Sequence, residues 1–258
     1  MLCKIPYVCI SHAGKVRQAN QDNFICDGQY MQPNDNDFPF PLQGVCPNVN
    51  MPLFGVFDGM GGEQRGEIAA YIAAKHAAEL HNPSGKVSAL LRLCDTANQA
   101  ICNYAAENHV TSTGTTAAML LFSKRTLSLC NIGDSKIFRF RQGALEQLST
   151  DHLGIAPFGV KPPLSQSLGI PPEEMRITPY TLKARYEPED IYLICSDGLT
   201  DMVTKEDIAK VLSGSPLQPA AEQLLALALA NGGRDNVTFV LCRIDKEIPK
   251  LFHRKREV

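Results

Sequence analysis

Short apolar runs separated by polar turns recur along the chain. Residues 7–12, 23–26, 53–57, 115–122, 126–132, 136–141, 190–195 and 237–244 read as strands. Longer stretches with helical spacing intervene. Residues 63–81 repeat Ile68, Ile72 and Ala69, Ala73, His76, while residues 86–108 carry Val87, Leu90, Leu91, Cys94, Ala97, Ile101 and Tyr104 on one face. Asn82-Pro83-Ser84-Gly85 separates the two and predicts an antiparallel helix pair. Later, Thr204 and Asp207 form a capping box that opens a helix to about Leu212, and residues 219–230 form another, stopped by Asn231-Gly232-Gly233. Strands with helix pairs outside them predict the α+β class: a central antiparallel β-sandwich flanked by helix pairs in α-β-β-α layers.

Two stretches break the pattern. Residues 27–52 are rich in Pro, Asn and Asp, include Phe38-Pro39-Phe40-Pro41, and read as an inserted loop. Residues 153–179 hold several prolines and read as a lid or binding loop. No internal repeat or low-complexity linker divides residues 1–258, so a single domain is expected.

Composition narrows the function classes. With 44% apolar and 20% charged residues, the chain is of an ordinary soluble globular type. A net charge of −2 argues against nucleic acid as a partner. No apolar stretch has membrane-spanning length, and the N-terminus lacks the order of a secretory signal. The nine cysteines form no Cys-x-x-Cys pair, and Cys130, Cys195 and Cys242 sit inside apolar runs. Reduced thiols in a cytoplasmic protein are the expectation.

The candidate chemistry lies where strands meet acids. Leu53–Gly62 is an apolar run that stops at Asp58-Gly59 and continues into Met60-Gly61-Gly62; residues 191–198 repeat the construction at Asp197-Gly198. Asp235 opens a strand instead of closing one, and Asp134 ends another in Asn131-Ile132-Gly133-Asp134-Ser135. Any one Asp-Gly is ordinarily a turn. Together with Asp22, these acids can meet at one edge, because in antiparallel sheets the end of one strand lies beside the start of the next. Two carboxylates about 4 Å apart repel by roughly 4 kcal/mol at an effective dielectric near 20, so such a rim requires protons or cations. Oxygen-only donors favour Mg2+ or Mn2+ over zinc. Arg17, near Asp22, is a candidate phosphate clamp. His152 reads as structural, Thr113-Gly114-Thr115-Thr116 as a tight strand start, and the glycine cluster lacks the spacing of a nucleotide-binding loop.

Taken in order, Arg17-x-x-Asn20-x-Asp22, Val56–Gly62, Gly114-Thr115-Thr116, Gly133-Asp134-Ser135, Ser196-Asp197-Gly198 and Arg234–Thr238 resemble the signature set of the metal-dependent Ser/Thr protein phosphatases of type 2C, the PPM family. Met60 resembles the bacterial members. The resemblance covers residues 7–244 and implies two Mn2+ or Mg2+ ions in a cleft at one end of the sandwich. By motif, Asp58 would bridge both ions and the Gly59 carbonyl would bind the first. Asp197 and Asp235 would bind the second, Asp22 would act through water, and Asp134 with Asp197 would offer a third, weaker position. Arg17 would bind the substrate phosphate, and residues 153–179 would be the family's flap near the metal cleft. Attack by a metal-bridging water with no phosphoenzyme is implied, on phosphoproteins made by a Ser/Thr kinase. A monomer without nucleic-acid or membrane partners is expected.

Three positions depart from the family pattern. Gln21 stands where many members have Glu, Met60 where many eukaryotic members have a His proposed as general acid, and Lys136 where Arg is common. The general acid is thus left to water or to the substrate. A non-catalytic domain on the same scaffold is disfavoured by the five acids present; a hydrolase for another phosphate ester remains the rival.

Overall fold

The computed structural model describes residues 2–33, 35–37, 41–60, 65–80 and 86–246. Residues 38–40, Gly61 and Gly62, the expected helix residues 63, 64 and 81, and the break at 82–85 lie outside them. In chain order, β1 (Cys3–His12), β2 (Asp22–Cys26), β3 (Leu42–Pro47) and β4 (Leu53–Met60) precede helices α1 (Gly66–Ala78) and α2 (Val87–Glu107). Then come β5 (Gly114–Thr115), β6 (Ala117–Phe122), β7 (Thr126–Ile132), β8 (Lys136–Arg141), β9 (Ala144–Gln147), β10 (Tyr180–Arg185) and β11 (Ile191–Cys195). The short α3 (Asp197–Thr200), α4 (Lys205–Gly214) and α5 (Leu217–Ala230) lead to β12 (Val237–Arg243) and β13 (Asp245–Lys246).

The strands form two antiparallel sheets. One runs β13-β1-β12-β11-β8-β9 with β3 also paired to β1; the other runs β10-β7-β6-β4-β2 with β5 on β4. The layered sandwich expected from the sequence is the architecture observed. Alternating side chains serve different layers: Phe24, Phe54, Val56, Leu120 and Phe122 point between the sheets. Ile25, Phe57, Met119 and Leu121 point outward against α1 and α2. Leu193, Cys195, Phe239 and Leu241 meet α4 and α5 on the other side. Burial on both faces explains why these strands show unbroken apolar runs instead of alternation.

Four details differ from the sequence reading. Residues 27–52 are not wholly loop, because β3 lies along β1 with Tyr7 opposite Gly44. A Cβ at Gly44 would stand 2.4 Å from the Tyr7 hydroxyl, so glycine permits the pairing. β9 and β10 carry only part-exposed edge residues and gave no apolar signal. The buried stripe of α1 is Ala69, Ala70, Ala73, Ala74 and Ala77, with Ile68 and Ile72 half-buried, since small side chains let the helix settle close on the sheet. Thr204 caps α4 as expected, accepting from the Asp207 amide at 3.2 Å, whereas α5 begins two residues early at Leu217. All nine cysteines are free.

Asp190, whose side chain is fully buried, anchors the start of β11. It receives the Arg141 guanidinium at 2.6 and 2.7 Å, the Glu187 amide at 2.8 Å and the Tyr192 hydroxyl at 3.1 Å. Removing one partner of a buried charged pair strands the others. Asp190→Ala is expected to cost about 3 kcal/mol, read as a lower urea midpoint at unchanged slope; an unmoved midpoint would contradict this anchoring role.

Candidate functional site

Strand pairing carries the acids to one rim. Asp22 and Asp58 are direct partners across the β2–β4 ladder. β11 ends just before Asp197 and β12 begins just after Asp235, and the two strands pair with Cys195 opposite Phe239. Asp134 sits in the turn joining β7 to β8. Arg17, Asp58, Gly59, Asp134, Asp197 and Asp235 thereby line one cavity of about 240 Å3, together with Gln21, Met60, Thr116, Lys161, Pro162, Leu164 and Asn236. Asp22 is not in that lining. It lies behind it, 4% exposed, and accepts a hydrogen bond from Ser196 Oγ at 2.8 Å. The ring of His152 is likewise outside, and its amide donates to the Gly133 carbonyl.

Two glycines allow the acids to come this close. A Cβ on Gly59 would stand 2.3 Å from the Gly66 carbonyl oxygen and 2.4 Å from that of Gln21. One on Gly198 would stand 1.9 Å from the Asn236 carbonyl oxygen. Real side chains cannot occupy such distances, so the Asp-Gly pairs here reflect packing as well as turning.

Hydrogen bonds fix the rest. Thr115 Oγ1 and the Thr116 amide both donate to the Asp58 carbonyl, at 3.0 and 2.9 Å, and Thr116 Oγ1 accepts from the Asp58 amide at 3.0 Å. The Thr113–Thr116 segment thus holds Asp58, a role its sequence did not disclose. Asn236 accepts from the Gln21 amide and donates to the Ala13 and Ala19 carbonyls, tying the Arg17 loop to β12. Arg17 Nη2 donates to Asp235 at 2.8 Å. Lys161, from the irregular 153–179 segment, contacts Asp197 and reaches Asp201 at 3.3 Å. No spacing or motif marks Lys161 in the sequence, and Asn236 was readable only as a neighbour of Asp235.

The electrostatics are strained. Burial, then the carboxylates of Asp22, Asp197, Asp134 and Asp235, push Asp58 well above the usual range. Burial drives Asp22 up to about 7 despite hydrogen bonds from Ser196 and Thr238. Asp134 rises through burial and Asp197, moderated by Lys161 and Lys136. Burial lowers the Lys161 ammonium, but its bond to Asp197 and the charges of Asp197, Asp201 and Asp134 outweigh that and raise it. Among the described residues no three His, Cys, Asp or Glu side chains stand as a closed ligand set. The donors share a cavity in an open arrangement, with Arg17 and Lys161 drawing Asp235 and Asp197 toward themselves. An all-oxygen set under mutual repulsion still fits hard divalent ions better than any softer metal.

The profile of protein phosphatase 2C matches residues 42–232. The chain belongs to that family. It is 33% identical over 212 residues to the serine/threonine protein phosphatase PstP of Mycobacterium tuberculosis, an alignment covering 74% of this chain but 40% of PstP. The chain thus spans well under half the length of that relative. It is 26% identical over 256 residues to the serine/threonine phosphatase stp of Listeria monocytogenes, covering 90% and 93% of the two. Among solved structures, the M. tuberculosis phosphatase superposes with a TM-score of 0.78 at 27% identity, covering 94% of this chain and 100% of that one. The PstP catalytic domain in complex with two manganese ions gives a TM-score of 0.77 at 28% identity, over 95% and 100%.

The raised Asp22 carboxyl makes a signed prediction. A folded-state value above the unfolded one makes ionisation oppose folding, so the penalty is absent below about pH 4, grows toward pH 7 and is constant above it. In chelator-treated protein, Asp22→Asn is expected to be more stable than wild type by up to about 4 kcal/mol at pH 8. The difference should vanish near pH 4. Equal denaturation midpoints at both pH values would remove Asp22 as a buried, uncompensated acid.

Proposed function

We propose that this protein is a metal-dependent hydrolase of phosphoserine and phosphothreonine in proteins. The observation that carries the reading is the convergence of Asp58, Asp134, Asp197 and Asp235 with Arg17 on one cavity, in a chain of the protein phosphatase 2C family. Asp58 and the Gly59 carbonyl, with Asp197 and Asp235, would hold two Mn2+ or Mg2+ ions; Asp134 with Asp197 would serve a third, weaker one. When bound, such ions would acidify a nearby water and neutralise phosphate charge, so that hydrolysis would need no phosphoenzyme. The PstP structure with two manganese ions supports this assignment by likeness.

The chain's own groups position the substrate. Arg17, its side chain about half exposed, spends one nitrogen on Asp235 and leaves the rest of the guanidinium fork for phosphate oxygens. Asp22, which accepts from Ser196, supports the cavity from behind and would act through water. Met60 cannot donate a proton and no described lining residue is His, so the proton for the leaving hydroxyl is left to water or to the substrate. Substrates are phosphoproteins generated by a Ser/Thr kinase. Nine free thiols are consistent with a reducing cytoplasm, and a monomer is the proposed working form.

Asp58→Asn and Asp197→Asn should each lower Mn2+-dependent phosphopeptide hydrolysis at least ~100-fold. Wild-type turnover in either variant would reject the assignment. Arg17→Ala is expected to raise KM about tenfold with a smaller change in kcat; a loss confined to metal affinity, measured by calorimetry, would contradict the clamp.

A further inference from the structure

A second and larger cavity, about 550 Å3, adjoins the first. Met60 lines both. Its walls are the C-terminal half of α2, with Gln99, Cys102 and Asn103, and the end of the 153–179 segment, with Ser167 and residues 169–174; residues 110–114 form the base.

The second wall is held in place. Asn98 Oδ1 accepts from the amides of Gly169 and Ile170 at 2.7 and 3.2 Å, and its Nδ2 donates to the Ile170 carbonyl at 2.9 Å. Leu168 and Thr115 exchange two backbone hydrogen bonds, at 2.9 and 3.0 Å. A ligand therefore meets a formed cavity, without an ordering cost for that segment.

Among the described residues the charge in this cavity has one sign: Glu173 and Glu174 line it, and no described Lys or Arg does. Among the described residues no cation pairs with either glutamate. Their field reaches inside: after burial, Glu173 and Glu174 are what raise the Cys102 thiol. Gln99 Nε2 donates to Asn103 Oδ1 at 2.9 Å, which leaves the Gln99 carbonyl oxygen to a ligand as a further acceptor. An acidic group would be repelled, and an ammonium or guanidinium is drawn to the glutamates.

We infer that this cavity is a subsite for a Lys or Arg side chain of the phosphopeptide, selecting substrates with a basic residue near the phosphorylated one. The inference rests on the phosphatase reading above. The two cavities meet at Met60, so a basic side chain within a few residues of the phosphorylated one can enter the second while the phosphate occupies the first. Occupancy adds binding outside the reacting centre, so the preference belongs in KM.

The test compares phosphothreonine peptides with Ala, Lys, Arg or Glu placed at each of the four positions on either side, with Mn2+, alongside p-nitrophenyl phosphate. In wild type, at least one basic register should raise kcat/KM over Ala by roughly three- to tenfold, mainly through KM, as expected for two part-exposed ion pairs. Glu at that register should lower it, and added salt should shrink the ratio. In Glu173→Gln/Glu174→Gln the basic-to-Ala ratio should fall to about one, and Asn103→Lys should bring it to or below one. A ratio preserved in the double variant, or no basic preference in a wild type that turns over p-nitrophenyl phosphate, overturns the subsite. Failure to hydrolyse that small ester and every peptide would overturn the phosphatase reading itself, and the subsite with it.

Discussion

Repulsion among carboxylates at one rim is the constraint around which this molecule is organised. Asp22 and Asp58 face each other across a strand pair, and Asp197, Asp235 and Asp134 close in from neighbouring strand ends. Such a cluster opposes folding, and much of the surrounding structure holds it in place. Buried apolar strands on both faces of each sheet fix the strand ends. Threonine hydroxyls brace Asp58, Asn236 ties the Arg17 loop to β12, and Ser196 shields Asp22. Carboxylates held together against their repulsion favour cations, and perturbed acids of this kind cluster at functional sites.

The compensation available within the chain is partial and comes from opposite sides. Arg17 holds Asp235 from the loop after β1, and Lys161 holds Asp197 from the irregular segment above the cavity. Each side chain pairs with one acid of the cluster. Any cation that enters competes with these two ion pairs. Under the proposed reading, metal affinity, phosphate binding by Arg17 and the position of the 153–179 segment would therefore be linked quantities.

Much of this was readable in the sequence. The strands that end at Asp58 and Asp197 are buried on both faces, so their apolar runs stood out, and the Asp-Gly pairs marked where they stop. The helix pairs were visible through spacing and caps, although the alanine face of α1 carries less signal than the isoleucines beside it. What escaped reading shares a physical character. β3, β9 and β10 lie at sheet margins, where exposure dilutes the apolar pattern. Lys161 and Asn98 act through contacts across tens of residues, and neither sits in a motif. The packing role of Gly59 and Gly198 is a property of what lies opposite, which no local pattern reports.

The segment above the cavity is fastened near both ends and again in its middle, where Lys161 meets Asp197 and Asp201 and Leu153 pairs with Leu164. Near its start, residue 152 is hydrogen-bonded to Gly133; near its end, residues 168–170 are bound to Thr115 and Asn98. Between these attachments, Ile155 and Phe158 project fully into solvent. The exposed tip, residues 155–160, can be exchanged, lengthened or recomposed while Lys161 keeps its hold on Asp197. Divergence in partner choice can then accumulate in a replaceable tip without moving the acids beneath, much as a tool changes its head and keeps its handle.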